Sequence, residues 1–291
     1  MNNQRLWLFY TIFAVGAWGL WGALINSTAE AGFPETLGYC VWALTMIPPA
    51  LVALRLADWK LEYSVPAILL GCAAGFLGAG GQLILFKTLR TAPAHLVFPF
   101  IALSPVVTIL MALVISRERA KPRGWVGIIL ALVAGVFLSY SEGSEGGIGY
   151  WVFLAFLVFL AWGIQGFVIS YANQRMKAES IFFYMMLTAL LLSPFAIWIT
   201  DFSQEINWGF RGPYLAAAIQ ILNSIGALFL VYAYRYGKAI IISPLINAGA
   251  PVVTILISLA MYWTLPHPMH SIGIVIAIIA AVLIALEEES K

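Results

Sequence analysis

Apolar residues run through this chain in long blocks, parted by short polar connectors. A bilayer crossing needs about 20 mostly apolar residues. Ten blocks meet that length, over residues 6–26, 36–57, 65–86, 92–116, 123–140, 150–171, 179–200, 212–234, 239–262 and 270–286. The pattern predicts an all-α membrane protein with ten transmembrane helices and no soluble domain between them. Composition agrees: 62% of residues are hydrophobic and 10% are charged, where a soluble domain carries roughly 25% charged residues. The first block starts at Leu6 and is of full spanning length, which predicts a span rather than a cleaved leader.

The ten blocks fall into two copies. Pro105-Val-Val-Thr-Ile-Leu110 returns as Pro251-Val-Val-Thr-Ile-Leu256, at an offset of 251 − 105 = 146. Ala17-Trp18-Gly19 returns as Ala161-Trp162-Gly163, at an offset of 144. The copies are residues 1–142 (spans 1–5) and 143–291 (spans 6–10). Five spans is an odd number, so the second copy enters the membrane from the other side and the repeats are inverted. Repeats of this kind are a common frame of secondary transporters.

Charge sets the orientation. With the N-terminus in the cytoplasm, the inward segments hold 12 of the 15 Lys and Arg residues and the outward segments hold Lys87, Arg90 and Arg211. The positive-inside bias therefore predicts both termini in the cytoplasm. The net charge of +2 carries no nucleic-acid signature; the partners expected are the lipid bilayer and a small-molecule solute, for a monomer or homodimer. Small residues at Gly127, Ala131 and Gly135, and at Gly273, Ala277, Ala281 and Ala285, predict close helix packing within the monomer.

The Ala-Trp-Gly pair, the Pro-Val-Val-Thr pair and Arg117-Glu118-Arg119 followed by the Gly127 stripe resemble the EamA-like type of the drug/metabolite transporter superfamily, over nearly the whole chain. The resemblance implies an inner-membrane carrier of small polar metabolites, amino acids or sugars among them, often working in export. Glu118 matches the family's acidic residue at the close of the fourth span. The second copy has Thr264 there, so this carboxylate has no symmetric partner.

Prolines interrupt the fourth span of each copy: Pro99 and Pro105 in one, Pro244 and Pro251 in the other. Proline lacks the N–H that closes the helix ladder and clashes with the carbonyl four residues back. The expectation is two broken helices, with the carbonyls of Ile101 and Asn247 freed toward a cavity. Polar side chains inside spans are costly and are site candidates by default. The candidates taken from them are Gln82, Ser104, Thr108, Gln165, Gln220, Asn223, Asn247 and Thr254. A neutral set of amides and hydroxyls suits a polar or zwitterionic solute. The threonines can equally bond back to their own helices. Trp18 and Trp162 lie too deep for an interfacial belt; they either wall a cavity or pack on neighbouring glycines. Lys87 and Arg90 are the anomalous outward cations and suggest an anion-attracting outer mouth, with snorkelling as the alternative.

Other chemistry finds little support. No Gly-x4-Gly-Lys-Ser/Thr nucleotide loop is present. No Asp or Glu falls in the interior of a span, the nearest being Glu118 and Glu179 at cytoplasmic ends; His95 is the one histidine near a path, and His267 and His270 share an outer loop. Cys40 and Cys72 both sit in apolar spans, as buried small hydrophobes. No catalytic residues, cofactor or metal site is expected. An alternating-access carrier of small polar metabolites, amino acids or related solutes, is the function that fits. A sugar or anionic-metabolite carrier is the alternative, and an integral membrane enzyme the reading from a different class.

Overall fold

The computed structural model describes residues 5–91, 97, 101–138, 140, 150–262 and 267–289, without the side chains of 90, 91, 262 and 285–289. Pro99, His95, Trp263 and Thr264 lie outside the described residues, as does the side chain of Arg90. The described chain is a bundle of helices. In order they are α1 (Leu6–Leu24), α2 (Asn26–Glu30), α3 (Glu35–Thr45), α4 (Ile47–Leu56), α5 (Val65–Thr91), α6 (Pro105–Val114), α7 (Pro122–Leu138), α8 (Tyr150–Asn173), α9 (Ala178–Trp198), α10 (Leu215–Tyr236), α11 (Ala239–Tyr262) and α12 (Pro268–Glu289). Among the described residues, seven segments are long and apolar enough to cross a membrane, and the shorter apolar stretches Pro105–Val114, Pro122–Leu138 and Pro268–Ile284 bring the spans to ten. Span 1 is α1 with α2, and span 2 is α3 with α4.

Hydrogen bonds between connectors show which ends of the spans lie together. At one end, Glu62 Oε2 accepts from the Lys177 N–H at 2.6 Å, Glu118 Oε2 from the Ile240 N–H at 3.1 Å, and Lys238 Nζ donates to Arg119 O at 2.9 Å. The connectors after spans 2, 4, 6 and 8 therefore share this end, which also carries most of the cations. At the opposite end the Asn207 side chain donates to Ala31 O at 2.8 Å, joining the connectors after spans 1 and 7. His270 Nε2 sits 2.6 Å from Tyr140 O, joining those after spans 5 and 9. Equivalent connectors of the two copies lie at opposite ends, so the five-helix repeats are inverted.

The helix contacts obey the same pseudo-two-fold. α1 packs on α10 and α11 of the second repeat, and α8 packs on α5 and α6 of the first. α7 and α12 pack on each other across the pseudo-axis. Their small residues make that approach close. Gly127 faces α12, where an added Cβ would lie 2.8 Å from Ile284 Cγ1 and 3.2 Å from Ala280 O. Gly135 faces Ala102 instead, so the stripe serves two neighbours. Trp7, which its sequence position suits to an interfacial belt, is only 4% exposed and packs beside Gly237.

The two proline segments differ, against the expectation of two broken helices. In the first, α6 starts at Pro105 after a turn over residues 102–104, where Pro is favourable because that position has no helical partner to lose. The Ile101 carbonyl is not left bare, since the Ser104 N–H donates to it at 2.8 Å. In the second, α11 runs unbroken from Ala239 to Tyr262 with Pro244 and Pro251 inside it. Neighbouring helices can keep a proline-bearing span continuous, and α1 supports α11 here along Gly249, Ala250 and Val253.

Candidate functional site

The two repeated motifs meet each other across the repeats. The Trp-Gly face of α1 packs on the Pro-Val-Val-Thr face of α11, and the Trp-Gly face of α8 packs on that of α6. A Cβ on Gly19 would lie 2.4 Å from Val253 Cβ; one on Gly163 would lie 2.5 Å from Val107 Cβ and 2.6 Å from Ser104 O. One turn on, Gly22 meets Thr254 Oγ1 and Gly166 meets Thr108 Oγ1 in the same way. Only glycine permits helix backbones to come this near. Each threonine then reaches across: Thr108 Oγ1 donates to Gly163 O at 2.7 Å, and Thr254 Oγ1 to Gly19 O at 2.9 Å. Thr254 also lies 3.1 Å from Ala250 O of its own helix, so cross-repeat and local bonding coexist there. The result is a matched pair of locks.

Beside each lock stands a tryptophan. Trp18 Nε1 donates to Asn223 Oδ1 at 2.9 Å, and its ring covers Gly226. Trp162 Nε1 donates to Gly78 O at 3.3 Å, and its ring covers Gly81. Gly226 and Gly78 are themselves equivalent positions, 226 − 78 = 148 apart. Packing on glycine and polar bonding are thus both present at each indole. Both copies offer it a backbone carbonyl, Asn223 O at 3.2 Å on α10 and Gly78 O on α5, and α10 adds the Asn223 side-chain amide.

The remaining candidates scatter around these seams. Gln165 packs against Gly78. Gln82, half-buried on α5, makes no hydrogen bond among the described residues. Ser104 is buried beside Gly163. Asn247 donates to Ser243 O of its own helix at 3.1 Å and joins neither lock. Lys87 is exposed at the opposite end, its Nζ 5.9 Å from the centre of the Tyr150 ring.

The structure adds residues that the sequence reading passed over. Trp21 Nε1 donates to Gln220 Oε1 at 3.0 Å. Thr45 and Ser224 share a hydrogen bond at 3.0 Å. Trp42 Nε1 is a buried donor with no partner. These groups extend the Trp18–Asn223 pair into one polar cluster between α1, α3 and α10. Trp42 lies six residues into the block 36–57, half as deep as Trp18 in its own block, so depth alone does not single it out. Among the described residues no group of His, Cys, Asp and Glu side chains could hold a metal ion.

Fold and site together define a polytopic helical membrane protein, built from two inverted repeats that lock motif against motif around buried polar seams. The sequence profile of the EamA-like transporter family matches residues 5–140 and again 149–286. The chain belongs to that family. It is similar to an "Uncharacterized transporter" of Archaeoglobus fulgidus, 26% identical over 131 residues, 45% of this chain and 46% of that protein. It is also similar to "Protein RarD" of Streptomyces exfoliatus, 27% identical over 146 residues, 49% of this chain and 46% of that one. The chain thus spans about half the length of the curated relatives it matches. A solved crystal structure shares the fold, with a TM-score of 0.78 and 19% identity over 95% of this chain and 98% of that one.

Proposed function

We propose that the protein is a secondary carrier that moves small polar metabolites, amino acids or related solutes, across the cell's inner membrane by alternating access, in efflux or exchange. Both termini then face the cytoplasm, and the end holding Glu62, Glu118 and Lys238 is the cytoplasmic one. Membership of a transporter family supports the class. The observation that carries the mechanism is the pair of inverted locks, each flanked by a mid-span indole whose N–H bonds the opposite repeat. Two equivalent seams can exchange conformations, one opening as the other closes. Half-buried amides and hydroxyls along them offer hydrogen bonds to a solute that has left water.

The test is flux in proteoliposomes with a panel of amino acids, sugars and phosphorylated metabolites, together with labelling of single cysteines in the connectors from each side. Saturable flux of a polar solute, lowered by Trp18→Phe, is the expected result. Liposomes no leakier with the protein than without it, for every member of the panel, would overturn the carrier reading. A second reading, for anionic metabolites, rests on exposed Lys87 at the outer mouth. Neutralising it should then slow anion flux alone.

A further inference from the structure

At the end of the bundle that carries Glu118 and Lys238, two clefts of about 320 and 350 Å³ adjoin and share Arg235 and Tyr236. The first is of interest, and its volume is at the lower limit for a small-molecule pocket. Its walls include Glu118, Ser170, Asn173, Tyr234, Arg235 and Lys238, the last with its ammonium on Arg119 O. The Asn173 amide donates to Ile169 O at 3.1 Å and Val231 O at 3.0 Å. Both carbonyls require the amino end, so the orientation of this amide is fixed. Its Oδ1 is left buried with no partner, on a residue only 4% exposed. An unpaired buried acceptor is costly, and it leaves an uncompensated negative dipole end behind the cleft wall. The Ser170 hydroxyl, equally buried, also makes no hydrogen bond among the described residues.

Opposite charges share this cleft without cancelling. Glu118 uses Oε2 on the Ile240 N–H and leaves Oε1 without a bond. Arg235 donates through Nη1 to the carbonyls of Asn173 and Met176; the rest of its fork makes no bond. Neither residue belongs to an ion pair among the described residues. A lone cation would meet Arg235 and Lys238, and a lone anion would meet Glu118. A solute with both charges satisfies both. The inner wall also touches a lock: a Cβ on Gly166 would lie 2.9 Å from the Tyr234 hydroxyl and 2.8 Å from Thr108 Oγ1.

We propose that this cleft binds a small zwitterionic solute, its carboxylate on the open side of the Arg235 fork and its ammonium between Glu118 Oε1 and Ser170 Oγ. As the cytoplasmic loading station for the α6–α8 seam, it rests on the carrier reading. As a binding site, it can be measured without flux.

The test is equilibrium binding to the purified full chain in lipid nanodiscs. Each of the twenty common α-amino acids is titrated in turn, then the decarboxylated and deaminated analogues of the tightest. At least one amino acid should bind, and each analogue should bind about tenfold or more weakly, the ratio that one lost charge contact of ordinary strength produces. Glu118→Gln keeps an oxygen for the Ile240 N–H and removes only the charge. It should weaken the amino acid about tenfold while leaving the deaminated acid no worse. Ser170→Ala, which touches no cap, should also weaken the amino acid and serves if the first variant does not fold. Equal binding of amino acid, amine and acid, no binding of any amino acid, or wild-type affinity in both variants would sink the proposal. If liposomes still carry a sugar or phosphate ester under those outcomes, the carrier reading stands and the loading station falls. If the amino acid binds as described but nothing is carried, the reverse holds.

Discussion

Gly19 and Gly16 lie three residues apart on α1, and replacing each by alanine isolates what the lock requires. At Gly16 an added Cβ meets nothing within 4 Å; at Gly19 it lies 2.4 Å from both Val253 Cβ and Cγ1 and 3.1 Å from Ala250 O. Ordinary carbon contacts are about 3.5–4.0 Å, so α1 and α11 must part by about 1 Å to admit the methyl group. Overpacking of this kind costs about 1–3 kcal/mol. Parting also strains the 2.9 Å bond from Thr254 to Gly19 O, worth about 0.5–1.5 kcal/mol. Against this stands the gain of about 1 kcal/mol for alanine over glycine in a helix, which is the same at both sites and cancels in the comparison. Gly16→Ala should therefore be neutral to slightly stabilising, and Gly19→Ala about 1–4 kcal/mol less stable than it. Unfolding in detergent micelles, followed by near-UV circular dichroism, measures the difference. The cycle with Val253→Ala supplies the control, because the smaller neighbour makes room and should recover most of the loss. Equal stability of Gly16→Ala and Gly19→Ala, or no recovery in the double variant, would show that the motifs do not lock as described.

The other predictions follow from single bonds. Thr108→Val should lose about 0.5–1.5 kcal/mol on the same unfolding assay, and Thr108→Ser little; Thr254→Val should lose less, because its hydroxyl already divides between Gly19 O and Ala250 O. Trp18→Phe removes both bonds from the indole N–H to residue 223, to Asn223 Oδ1 at 2.9 Å and to its backbone O at 3.2 Å, whereas Asn223→Ala removes only the first; both should lower flux in proteoliposomes, Asn223→Ala by less, and the pair together should lower it no further than Trp18→Phe alone. Glu118→Ala strips the acceptor from the Ile240 N–H and should cost about 1 kcal/mol, visible as faster amide exchange at the start of α11, whereas Glu118→Gln should restore wild-type exchange.

The spans, the duplication and its inversion can all be read from the chain, because each rests on a local or additive signal. Apolar length marks a crossing wherever it occurs, and six identical residues at positions 105–110 and 251–256 mark a copy whatever surrounds them. What faces what is a different kind of information. The sequence presents two repeated motifs as two separate signals, one of glycines and one of proline and threonine, and nothing in either alone says that they touch. The clue was present as spacing: Gly19 and Gly22, like Gly163 and Gly166, present bare backbone three residues apart, and Val253-Thr254, like Val107-Thr108, presents the bulk that fills it. Identity can also mislead. The shared Pro-Val-Val-Thr suggests one geometry, yet Pro105 starts a helix after a turn and Pro251 sits inside one. The same six residues can do both because a proline removes one hydrogen bond and adds one clash, and what the backbone does next is decided by the surface it lies on. For α11 that surface is α1, drawn close by Gly19 and Gly249. An inverted repeat whose equivalent helices settle differently is by that fact asymmetric. Two such arrangements related by exchange of the halves are what the proposed alternating access requires, and under that proposal the unequal prolines are one half of a cycle. The prediction that follows is specific. Spin labels on either side of Pro105 and of Pro251, watched by pulsed electron resonance as transported solute is added, should report the helix break passing from the start of α6 to α11, and an α11 that stays unbroken under every solute that is carried would refute it.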